Sequence, residues 1–122
     1  MMEINTYDKS NTAKKDFMDK HTPFITCKDT AKKGETVEIK ITLGEETAHP
    51  DDFNHYISSV SLFAGQKLLA KAEFMAGYLG NEAGHVNVTF HVVATKNLQL
   101  SAQAYCTSHG TWESETKELT IN

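Results

Sequence analysis

The residues best suited to chemistry lie near the C-terminal end, in the stretch that runs from Cys106 to Trp112. Two residues separate the cysteine from His109, and Gly110 follows directly. A thiolate and an imidazole at this spacing can close on one metal ion, and their softness suits iron, copper or zinc better than magnesium or calcium. A buried structural cysteine followed by a surface histidine would share this spacing, so the stretch alone leaves a metal role and a structural role open.

The six histidines are the most unusual feature of the composition, and four of them fall in predicted loops or at predicted strand ends. These four are His21, His49, His55 and His109. Taken singly, each is compatible with a solvated residue, a turn or edge packing. Because loops at one edge of a β-sandwich can converge, these imidazoles and Cys106 together predict a five-ligand metal site. Structural zinc normally takes four ligands, so five favour an iron centre with one open position.

Composition bounds the class of protein. The chain has 122 residues, 39% of them hydrophobic, which suits one domain with one core. Its net charge is -4 and it contains no arginine, which argues against nucleic-acid binding. No apolar run approaches the roughly 18 residues of a membrane span, and the polar start lacks the apolar core of a signal peptide, so we expect a cytoplasmic protein. Its two cysteines, Cys27 and Cys106, exclude a four-cysteine metal centre and are expected to stay reduced.

Alternation of apolar and polar residues predicts the strands that would carry the site. After an extended run that follows Pro23, strands are predicted over 36–43, 55–63, 67–74, 86–92, 98–106 and 115–121. About seven short strands indicate an all-β fold, an immunoglobulin-like antiparallel β-sandwich. In 55–63 the period of two places Val60 and Leu62 on one face and Ile57 on the other. His91, in the outward phase of 86–92, and His85, beside a glycine, are predicted not to bind metal.

Three blocks of residues stand in order along the chain. They are Lys20-His21-Thr22-Pro23, then His49-Pro50 continuing to His55-Tyr56-Ile57, then the run from Cys106 to Glu113. In this order and at these separations they resemble superoxide reductase, in particular the single-iron neelaredoxin type and the iron domain of desulfoferrodoxin. The similarity in strand pattern extends from about residue 15 to the end. We therefore expect residues 1–18 to form a polar N-terminal arm, with a short helix over 12–18, and residues 19–122 a single iron-binding β-sandwich domain.

The resemblance implies one mononuclear iron per chain that cycles between Fe(II) and Fe(III). Four nitrogens would hold it in a plane, with Cys106 as the axial ligand and the position opposite the sulfur open to superoxide; the nitrogens would come from His21, His49, His55 and His109. It also implies a one-electron reduction of superoxide to hydrogen peroxide and an external electron donor such as rubredoxin. A homotetramer or homodimer is the expected assembly.

The two residues that directly precede the first expected ligand, His21, are assigned catalytic roles. Because the whole protein is net negative, attraction of superoxide must be local, and Lys20 is the cation beside a ligand. The family commonly has a Glu before the Lys-His pair, and that Glu binds the ferric iron. Here the residue is Asp19, one methylene shorter, and we expect it to take the same part.

Other departures from the family pattern keep every ligand. The usual Asn after His-Pro is Asp51, the usual Asn after the cysteine is Thr107, and the usual second His of the His-His-Ile run is Tyr56. Main-chain N–H groups near Thr107, Ser108 and His109 are expected to hydrogen-bond the sulfur and tune its donation.

Two competing functions remain at this point. A cupredoxin-type electron-transfer protein also binds metal through a Cys and two His on a β-sandwich, but its weak axial Met lies close after them. The last methionine here is Met75, well before His109. A non-catalytic β-sandwich whose histidines bind nothing is the other alternative.

Overall fold

The architecture comes from a computed structural model that describes residues 9–16, 21–43, 55–76 and 86–122. Within these ranges the chain forms strands and no helix. The strands are β1 (Phe24–Thr26), β2 (Thr30–Ala31), β3 (Glu35–Leu43), β4 (Ile57–Ala64), β5 (Lys67–Glu73), β6 (Val86–Ala94), β7 (Leu98–Cys106), β8 (Gly110–Glu113) and β9 (Lys117–Ile121). No helix in the described ranges is therefore long and apolar enough to span a membrane.

The strands form two sheets with one hydrophobic core. The smaller sheet has the order β1-β3-β6, and the larger has the order β2-β9-β7-β4-β5 with β8 added beside β7. Apolar side chains from both sheets form one buried cluster, with Ile39 and Ile41 from β3 and Leu62 and Leu100 from β4 and β7. The predicted all-β sandwich is thus confirmed.

The structure has two short strands that alternation did not reveal. β2 is only two residues long and pairs in parallel with β9, and β8 is four residues long and pairs with β7. Neither is long enough to show a period of two. The long strands β3 and β6 do show it, and they pair in register over nine residues, from Glu35 opposite Ala94 to Leu43 opposite Val86.

A β-bulge corrects the predicted faces of β4. The register between β4 and β7 shifts between Ile57 and Ser59. Such a bulge adds one residue to one strand and reverses the alternation locally. Ile57 is consequently 2% exposed and shares the core with Val60 and Leu62, although strict alternation had placed it on the opposite face.

The predicted helix over 12–18 is wrong for the part that the structure describes. Residues up to 16 form a turn and an extended run, and Lys14 makes an isolated parallel β-bridge with Trp112. The Lys14 N–H donates to the Thr111 carbonyl at 2.9 Å, and the Glu113 N–H donates to the Lys14 carbonyl at 2.8 Å. Pairing with β8 satisfies these main-chain groups without a helix.

We predict that Leu100→Ala lowers the free energy of unfolding by about 2–5 kcal/mol, because it empties a fully buried position between the sheets. Val93→Ala is the matched control, since Val93 is 58% exposed on β6 and its truncation should cost less than about 0.5 kcal/mol. Urea denaturation of both variants measures the difference, and similar losses would contradict this assignment of the core.

Candidate metal centre

Four side chains converge at one end of the larger sheet. Their potential ligand atoms all lie within 4.8 Å of one another, and they belong to His21, His55, Cys106 and His109. His21 precedes β1, His55 precedes β4, Cys106 ends β7, and His109 lies in the turn before β8. The thiol is fully buried and the His109 side chain is exposed, so the cluster reaches from the core to the surface.

A tight hairpin places the cysteine and His109 side by side. Cys106 on β7 pairs with Gly110 on β8, which leaves three residues for the turn. Gly110 has a φ of 82°, a left-handed conformation that costs an L-residue with a side chain about 1–2 kcal/mol. The turn brings Cys106 Sγ to 3.6 Å from His109 Nδ1.

His55 reaches the cluster because its neighbour is bound to the same turn. The Thr107 N–H donates to the Tyr56 carbonyl at 3.0 Å, and the Tyr56 N–H donates to Thr107 Oγ1 at 3.1 Å. His109 Nδ1 then lies 3.1 Å from His55 Nε2. Of the three N–H groups expected to hydrogen-bond the sulfur, that of Thr107 donates to the Tyr56 carbonyl instead, so the expectation is wrong for this residue.

His21 is buried behind the other imidazoles and packs on a tryptophan. Its ring stacks on that of Trp112, with 4.9 Å between centroids and 16° between planes, and lies 4.8 Å from the ring of His109. The Thr22 hydroxyl donates to the Asp16 carbonyl. This bond joins the described residues on either side of 17–20, so it anchors the point at which His21 enters the site.

The donor atoms fit a transition-metal ion. Two nitrogens about 2.1 Å from one ion and at right angles to each other lie about 3.0 Å apart. The 3.1 Å between His109 Nδ1 and His55 Nε2 matches this spacing. Imidazole nitrogens with a thiolate suit iron, copper or zinc, whereas calcium and magnesium prefer oxygen.

The structure does not describe the remaining predicted site residues, and it describes one of the two histidines that were predicted not to bind metal. His49, Asp19 and Lys20, together with His85, lie outside the described residues. His91 lies on the exposed face of β6, with Nε2 at 4.0 Å from the Glu38 carboxylate, away from the four converging side chains.

Two residues that the sequence analysis did not assign hold the His109 main chain. Trp112 Nε1 donates to the His109 carbonyl at 3.2 Å, and Lys14 Nζ donates to the same carbonyl at 2.8 Å. Trp112 could have been suspected, because it belongs to the same short block. Lys14 is 95 residues away in sequence, and no local pattern reveals such a contact.

A buried carboxylate clamps the N-terminal segment onto the hairpin. Glu113 is 4% exposed and lies 3.2 Å from Lys9 Nζ and 3.0 Å from Lys15 Nζ. Gln103 Nε2 donates to Glu113 at 2.9 Å and also to the Ser10 carbonyl at 2.8 Å, and the Ser10 N–H donates back to Gln103 at 3.0 Å. Burial raises the pKa of Glu113, but the hydrogen bonds from Gln103, Lys15 and Lys9 outweigh it and hold the pKa below its ordinary value.

Comparison with known proteins gives one consistent result. The family model for desulfoferrodoxin matches residues 13–115. A neelaredoxin from Megalodesulfovibrio gigas is 30% identical over 109 residues, covering 79% of this chain and 84% of that protein. A superoxide reductase from Pyrococcus furiosus is 29% identical over 110 residues, covering 80% and 86%. The solved structure of a superoxide reductase from Nanoarchaeum equitans superposes with a TM-score of 0.72 at 31% identity, covering 88% of this chain and all of that one.

The clamp at Glu113 predicts a pH-dependent contribution to stability. Near neutral pH we expect Glu113→Gln to lower the free energy of unfolding by about 1–3 kcal/mol, because it removes a buried charge from its lysine partners. The pKa of Glu113 is depressed in the folded state, so its contribution is complete above the unfolded pKa of about 4.3 and is lost as the pH falls through the lower folded value. Urea denaturation from neutral pH to about pH 3 should therefore show the gap to wild type closing.

Glu118→Gln provides the control, since Glu118 is exposed on β9. A gap between wild type and Glu113→Gln that stays constant over the whole pH range would contradict the clamp.

Proposed function

Because the chain belongs to the desulfoferrodoxin family, we propose that it is a superoxide reductase, which converts superoxide to hydrogen peroxide at a single non-haem iron ion. The observation that carries the proposal is the convergence of three imidazoles and the sulfur of one cysteine within 4.8 Å. The reaction adds one electron and two protons to superoxide. When bound, iron supplies the electron, and an external donor of rubredoxin type returns it.

The proposed ligands are the four histidines of the motif blocks and the cysteine: His21, His49, His55, His109 and Cys106. Support for four of them comes from the cluster and for His49 from its place in the second block. The main-chain bonds of the Cys106–Gly110 hairpin and the stacking of Trp112 on His21 keep the side chains of Cys106, His109 and His21 oriented before any ion arrives. Burial of the thiol keeps it away from solvent oxidants.

Lys20 and Asp19 are the proposed catalytic residues. Lys20 directly precedes His21, so its ammonium can supply local attraction for an anion on a protein with a net charge of -4. Lys20 Nζ also offers a proton to the reduced oxygen species before peroxide leaves. The Asp19 carboxylate, a hard anionic ligand, is proposed to bind the oxidised ion between turnovers.

We further propose the assembly and setting of the protein. Residues 19–122 form the iron-binding domain, and the chain forms a homotetramer or homodimer that works in the cytoplasm. Both cysteines are free thiols in the structure. Cys27 is half-buried, and burial raises the pKa of its thiol, which suits a packing role rather than a second ligand.

The competing functions gain no support from the cluster. A cupredoxin-type copper site usually has a weak axial thioether close after its Cys and His ligands, but the last methionine, Met75, comes before Cys106 in the chain and is 80% exposed two residues after β5. A module whose histidines bind nothing has no need of a buried imidazole beside a buried thiol.

The proposal predicts an equimolar iron content and a visible thiolate-to-iron absorption band in the oxidised protein. Cys106→Ser should abolish this band, because the band arises from charge transfer out of the sulfur. Cys27→Ser is the matched control and should keep both the band and the iron. A band that persists in Cys106→Ser would contradict the thiolate assignment, and zinc in place of iron would contradict the proposed reaction.

Lys20→Ala should slow the second-order reaction with superoxide roughly tenfold, because it removes the cation beside the site. Its rate should also depend less on ionic strength than the wild-type rate, since fewer charges remain to be screened. Pulse radiolysis measures both quantities. Lys96→Ala is the control, because Lys96 precedes β7 at the end opposite Cys106 and carries the same charge. Equal rates for the two variants would show that Lys20 does not contribute to the reaction with superoxide.

A further inference from the structure

We propose that Lys14 is a positioning residue of the metal centre, which places a fixed positive charge beside His109 and Trp112 and raises the reduction potential of the bound ion. The inference rests on the proposed function, because it needs a redox-active ion in the cluster. With this role, the N-terminal segment would do more than pack against the hairpin.

The main chain of Lys14 is fixed on both sides. Its N–H donates to the Thr111 carbonyl at 2.9 Å, and its carbonyl accepts from the Glu113 N–H at 2.8 Å. One residue further on, Lys15 Nζ lies 3.0 Å from the buried Glu113 carboxylate. The backbone at residue 14 therefore stays in place even when its own side chain is changed.

The side chain of Lys14 turns toward the site. Its ammonium donates to the His109 carbonyl at 2.8 Å and lies 5.1 Å from the centre of the Trp112 ring. This distance is within the range of a cation–π contact. The Trp112 ring in turn stacks on the His21 ring, with 4.9 Å between the two centroids.

Two of the proposed ligands are thus one contact removed from this cation. His109 is linked through its own carbonyl and His21 through the Trp112 ring. A positive charge at this place disfavours the more positive oxidation state of a nearby ion, so it favours the reduced form. Because the Lys14 side chain is exposed, salt should weaken the effect.

The test compares reduction potentials of the iron-loaded full chain in three variants, measured without superoxide. In Lys14→Met, the ratio of reduced to oxidised protein at a fixed solution potential should fall roughly threefold at low salt. Lys14→Arg should restore the wild-type ratio, because a guanidinium keeps the charge, donates to a carbonyl and stacks on an indole. Lys96→Met, which loses the same charge at the far end of β7, should match wild type.

The outcomes separate the two proposals. Equal ratios for Lys14→Met and Lys96→Met, an equal fall in Lys14→Met and Lys14→Arg, or a difference that salt does not reduce would each overturn the role of Lys14. A wild-type iron centre that titrates normally but does not reduce superoxide would overturn the proposed function alone. A chain that binds no iron would overturn both.

Discussion

The end of β7 is the constraint on which the site depends. There Cys106 pairs with Gly110 on one side and with Ile57 on the other. These pairings bring β4, β7 and β8 together at Cys106. His55 and His109 lie within two residues of the paired Ile57 and Gly110, so both are held close to the thiol. The larger sheet is thus a frame that holds the Cys106 sulfur close to the imidazoles of His55 and His109.

Polar contacts around the Cys106–Gly110 hairpin further fix the converging side chains. The Tyr56–Thr107 pair of bonds fixes one wall, and Trp112 with Lys14 fixes the other through a single carbonyl. Thr107, which stands where the resemblance led us to expect an Asn, still offers a side-chain oxygen to the Tyr56 N–H. What the Tyr56 N–H needs is an acceptor oxygen on a short side chain, and a threonine provides one.

Much of the frame and the cluster could be predicted from residue patterns. The period of two is strong in β3 and β6, and the same alternation places Cys106 on the buried face at the end of β7. Patterns failed where the chain departs from regular geometry or relies on distant partners. The bulge at Ile57 inverted a face, β8 was too short to show a period, and the contacts of Lys14 and Glu113 join segments that are nearly a whole chain apart.

The separation of the proposed ligands along the chain has a consequence for how the protein would acquire a metal ion. His21 is 34 residues before His55, which is 51 residues before Cys106. Bringing them together requires closing long loops, and such non-local contacts form late in folding. A partly folded chain offers an ion only those proposed ligands that are close in sequence, such as Cys106 with His109. With the proposed ligands, the complete site would form only in the finished sandwich, and a bound ion would stabilise the folded chain over its partly opened forms.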